Sequence, residues 1–75
     1  MFKHPLYLVP HDFSSVSKGA TLLALDLAKA NDGSVYLLHI VGKNSEKSEA
    51  RRKFADLVSN LKEEDRKLVT TKVIT

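Results

Sequence analysis

Leu6-Tyr7-Leu8-Val9-Pro10-His11-Asp12-Phe13-Ser14 passes from an apolar run to a polar turn within a few residues. The apolar part has no helical period and stops at Pro10. It reads as a strand over about residues 5–10, of the kind buried on both faces in parallel sheets. The turn from His11 to Ser17 carries serines that can accept bonds from the free N–H groups of a helix. Ala20, Leu23, Ala24, Leu27 and Ala28 then recur at i, i+3, i+4, i+7 and i+8, which predicts an amphipathic helix over about 15–31 with that stripe inward. Asn31-Asp32-Gly33 closes it, and Gly33 suits the left-handed residue of a C-terminal cap.

Val35-Tyr36-Leu37-Leu38-His39-Ile40-Val41 is nearly all apolar again and reads as a second buried strand, about 34–41. Beyond the turn at Gly42 to Ser45, Ala50, Phe54, Leu57, Val58 and Leu61 form a second helical stripe, predicting a helix over about 45–62. Val69, Thr71 and Val73 alternate with Thr70, Lys72 and Ile74, the pattern of a half-buried edge strand at about 67–75. The order is strand, helix, strand, helix, strand. It predicts an α/β fold, a three-stranded parallel sheet of order 3-2-1 with two helices joined by right-handed crossovers. Both crossovers then lie on one face, and the opposite face has no cover. Each large apolar side chain left there forfeits ~1.5–3 kcal/mol of burial.

The chain has 75 residues, no cysteine and a formal net charge of +3. That length allows one small domain, whose core is marginal without outside help. The absence of cysteine removes disulfides, thiolate metal sites and a cysteine nucleophile together. Basic and acidic residues are interleaved, as in Glu63-Glu64-Asp65-Arg66-Lys67, and no aromatic stands among Arg51, Arg52 and Lys53. A nucleic-acid binder would concentrate its basic charge on one face, so nucleic acid is not expected as the partner. The apolar runs are too short to span a bilayer and the N-terminus carries no secretory cleavage pattern. A cytoplasmic protein without a membrane partner is expected.

The segment Leu8-Val9-Pro10-His11-Asp12-Phe13-Ser14 resembles the opening strand and loop of the universal stress protein family. Ala20 with Leu23-Ala24-Leu25-Asp26-Leu27-Ala28-Lys29-Ala30 is similar to that family's first helix, and Val35 to Val41 to its second strand. The three pieces stand in the right order and cover about the first 41 residues. The resemblance implies the N-terminal βαβαβ half of a doubly wound domain of order 3-2-1-4-5. It places the family's glycine-rich phosphate loop outside these residues. A chain of this kind is expected to need a complement, either a homo-oligomer in which first-strand edges meet or a complementing half-domain.

By the same resemblance, Pro10, His11, Asp12 and Ile40 would form the adenine and ribose side of an ATP site, used only if the missing half is supplied. His11 departs from the smaller residues usual at its position, and its ring would crowd or stack on the base. From the residues alone, ligands of doubly wound sheets bind beyond the carboxyl ends of the strands, where Asp12 lies. Asp12 could equally cap the helix or tighten the turn. Gly42-Lys43-Asn44-Ser45 lacks the pattern of a phosphate loop, having Leu37 and Asn44 where glycine and Ser or Thr are needed. His39 is expected as a core histidine with a backbone partner. Arg51, Arg52 and Lys53 are expected on a solvated face, with Glu46, Glu49 and Asp56 as partners. His4, His11 and His39 show no convergence with other ligands, so no metal is expected, and no catalytic constellation declares itself. The expected role is a stress-response module rather than an enzyme. The alternative is a nucleotide-independent module that binds protein through its bare sheet face.

Overall fold

A computed structural model describes residues 3–75. Strand β1 (Leu6–Pro10), helix α1 (Ser15–Asn31) and strand β2 (Ser34–Ile40) are followed by a 3-10 turn at Asn44–Glu46. Helix α2 (Lys47–Ser59), the one-turn helix α3 (Glu63–Arg66) and strand β3 (Val69–Ile74) complete the described order. The strands are all parallel and pair in the order β1-β2-β3, with Leu8 opposite Tyr36 and Tyr36 opposite Thr70. Pro10 lacks an N–H, which an edge strand tolerates. The ladder resumes beyond it, where His11 N–H donates to the Leu38 carbonyl at 2.8 Å.

Alternation sorts the sheet into two faces. Val9, Val35, Leu37 and Val73 point toward the helices and form the core with Ala24, Leu25, Ala28, Ala50 and Phe54. The residues between them face away from the helices. There Leu6 is 61%, Leu8 58% and Ile40 66% exposed. The strands therefore bury one face each, not two, because both helices lie on the same side of the sheet. The bare face follows from the strand order, as the handedness of the crossovers requires.

Helix α1 turns a different side inward from the one its periodicity suggests. Thr21, Ala24, Leu25 and Ala28 are buried, whereas Leu23 is 62% and Leu27 41% exposed and Ala20 is exposed as well. Two overlapping stripes satisfy helical spacing in this sequence. Thr21 makes the second one possible, because its Oγ1 donates to the Ser17 carbonyl at 2.9 Å and so enters the core with its hydroxyl satisfied.

The end of α1 also differs from expectation. Asp32, not Gly33, is the left-handed C-cap residue, with φ 54°. Gly33 is needed for space. A Cβ there would overlap the Pro5 carbonyl oxygen and stand 2.9 Å from Pro5 Cγ.

The second helical stretch is divided. Asn60 Nδ2 and Ser59 Oγ both donate to the Asp56 carbonyl, at 3.0 and 2.8 Å, and the Asn60 N–H shares the same acceptor. These side chains satisfy the last turn and end α2 at Ser59. Helix α3 is tied back to α1 by Lys29, whose ammonium lies 2.9 Å from Asp65. Arg52 meets Glu49 and Asp56 on the solvated face of α2. Among the described residues no helix is long and apolar enough to cross a membrane.

Candidate functional site

The turn between β1 and α1 is held by the side chains of Asp12, Ser14 and Ser17. Ser14 is the N-cap of α1, its hydroxyl accepting from the Ser17 N–H at 3.2 Å. Asp12 Oδ1 accepts from the Ser14 N–H at 3.0 Å and from the Ser17 hydroxyl at 2.6 Å. The Asp12 N–H returns a bond to Ser17 Oγ at 3.2 Å. Asp12 thus tightens the turn and leaves the cap to Ser14. These donors stabilise the ionised form and hold the Asp12 carboxyl well below its usual range, although the side chain is exposed.

A hollow of about 350 Å³ opens beyond the ends of β1 and β2, lined by Pro10, His11, Asp12, Ser17, Leu38, His39 and Ile40. All four residues named from the family resemblance therefore meet at one place. They do so because β1 and β2 are parallel and in register, with Pro10 opposite Leu38. Leu38 and Ile40 share the open face, so the hollow has an apolar floor and an ionised carboxylate at its rim.

The His11 ring is not available to a base in that hollow. It is 3% exposed and lies against Phe13 and Phe54, with ring centroids 5.0 and 5.7 Å away. Strand alternation explains this, since His11 follows Val9 on the helix side while Pro10 between them points to the open face. His39 has the backbone partner expected of it, its Nδ1 lying 2.6 Å from the His11 carbonyl oxygen. It is only half-buried, and it packs on Phe13 at 4.8 Å.

Ser17, Leu38 and His39 are lining residues that the sequence reading did not place at the site. Leu38 stands two positions before Ile40, so strand alternation alone was a sufficient signal for it. Ser17 had no such signal, because a serine in this stretch reads equally well as a helix cap.

Outside this hollow, Gly42-Lys43-Asn44-Ser45 leads into the 3-10 turn, where Lys43 makes no side-chain cap. No group of three or more potential metal ligands occurs among the described residues. The model of the universal stress protein family matches residues 7–73. No curated protein and no solved structure gives a significant match.

Proposed function

This chain belongs to the universal stress protein family, and on that footing we propose that the hollow at the ends of β1 and β2 takes the adenine and ribose of a nucleotide. The supporting observation is the convergence of Pro10, Asp12 and Ile40, from two separate strand ends, on one cavity. Its volume of about 350 Å³ falls at the lower end of small-ligand sites. Apolar walls suit a base. The ionised Asp12, oriented by Ser14 and Ser17, suits a ribose hydroxyl or an exocyclic amine. The chain's glycines form no phosphate loop, so the phosphates of ATP depend on a complementing half-domain or a second copy. The role is regulatory binding in the cytoplasm, without a catalytic step and without a metal.

Calorimetric titration of the chain with Mg-ATP, fitted for stoichiometry, tests this. Binding that Asp12→Ala abolishes is expected, and one nucleotide per two chains would identify a second copy as the complement. Saturable binding that Asp12→Ala leaves intact would overturn the assignment.

A second reading is favoured by the exposed Leu6, Leu8 and Ile40. In it the bare sheet face binds protein and nucleotide plays no part. Partner binding would then survive Asp12→Ala and fail when the face is made polar.

A further inference from the structure

We propose that His11 is a proton-operated latch on the turn between β1 and α1, holding the turn while its ring is neutral and releasing it when the ring is protonated. The Phe13 N–H donates to His11 Nδ1 at 2.9 Å. Nδ1 must therefore carry a lone pair, and the ring proton sits on Nε2. That Nε2 is buried and has no hydrogen-bond partner. A second proton would have to go to Nδ1, where it would point at another N–H and break the bond.

The bond spans a strained place. Phe13 has φ 65°, the left-handed region that an aromatic residue seldom occupies. Closing the loop from Phe13 N–H to the ring two residues earlier is what holds it there. Phe13 in turn packs on His39 and Phe54, each 4.8 Å away. The next N–H along, that of Ser14, donates to Asp12. Loss of the Phe13 bond thus loosens the arrangement of Asp12 and Ser17 at the rim of the hollow. Acidification would disperse that rim whatever ligand the hollow takes, so the latch does not rest on the nucleotide reading.

Charged groups face His11 from every side. Asp12, in its own turn, favours the cation. Lys18 from α1 and His39 from β2 oppose it. From α2, Lys53 lies 5.4 Å above the Phe13 ring, and Glu46 and Glu49 border Phe13 and His39, with Glu49 paired to Arg52. Burial outweighs the attraction of Asp12, and the ring's pKa lies below 6.5. The native state therefore takes up its proton later than the unfolded chain does as pH falls. The stabilisation is complete above 6.5 and is lost as pH falls through 6.5 and on to the native value.

Nitrogen-15 NMR of the 75-residue chain between about pH 7.5 and about pH 5 tests the latch, a window that brackets the ordinary histidine range. At the upper end His11 should show the tautomer protonated at Nε2. The amide resonances of Phe13 and Ser14 should shift with the His11 ring at one midpoint below 6.5. In His11→Asn, whose side-chain oxygen can accept the same bond from two residues on, those amide shifts should vanish. At the upper end of that window, a neutral His11 ring carrying its proton on Nδ1 rather than Nε2 would overturn the proposal, a result that needs no variant to fold. Amide shifts that persist in His11→Asn would overturn it as well.

Discussion

Gly33 backs onto Pro5 so closely that the carbonyl of Pro5 occupies the space of a side chain, while the Ser34 N–H beside it donates to that same carbonyl at 2.9 Å. The chain leaves α1, turns at the left-handed Asp32 and enters β2 directly under the start of β1. A methyl group at Gly33 would push β1 and β2 apart where their pairing begins.

Gly33→Ala is therefore expected to destabilise the fold by about 1–3 kcal/mol, the usual cost of overpacking. Gly19 provides the opposite case. It lies exposed within α1, with nothing within 4 Å of an added Cβ. Gly19→Ala should stabilise by roughly 0.5–1 kcal/mol through helix propensity. Thermal unfolding of the two variants should move in opposite directions from the parent.

The inward side of α1 can be read from two leucines. Leu25 is 2% exposed and Leu23 62%. Leu25→Ala should cost about 2–5 kcal/mol, as for other buried leucines. Leu23→Ala should stay within about 0.5 kcal/mol, as at exposed sites. Urea titration of both distinguishes the observed face from the stripe of Ala20, Leu23 and Leu27. Equal losses would place Leu23 in a contact between chains.

The bare sheet face should drive association. Leu6, Leu8 and Ile40 are exposed on it, and β1 pairs only with β2 among the described residues. Light scattering at micromolar concentration is expected to give a mass above that of one chain. Leu8→Glu with Ile40→Glu should reduce it to the single chain without loss of helical circular dichroism. A stable parent monomer would remove the case for a complement.

Asp12 contributes to the acid limb of stability, alongside Glu49 paired with Arg52. Bonds from Ser14 and Ser17 lower the Asp12 pKa from 3.8. The native state thus gives up this proton more readily than the unfolded chain does. The stabilisation is present above 3.8 and is lost as pH falls below it toward the native value. Ser17→Ala, which removes one donor, should bring the Asp12 midpoint back toward 3.8 by carbon-13 NMR. This titration lies below the His11 range, so the two groups separate along one pH series.

The strand and helix order, and the bare face that follows from it, were legible in the sequence because they rest on short-range facts. Two apolar runs without helical period, each followed by a turn and a helical stripe, allow a parallel sheet with right-handed crossovers and little else. The grouping of Pro10, His11, Asp12 and Ile40 was named by the family resemblance, and parallel strands bring these four residues to one edge. Three matters were decided only in three dimensions. The inward face of α1 was ambiguous because alanines and leucines satisfy two stripes, and only the Thr21 bond to Ser17 and the fit onto β1 and β2 choose between them. The need for glycine at position 33 came from the approach of Pro5, a contact across the length of α1 that no local pattern records. The third matter was His11. The family resemblance placed it against a ligand, but the parity of the strand carries its ring to the helix side, and Phe13 and Phe54 enclose it there.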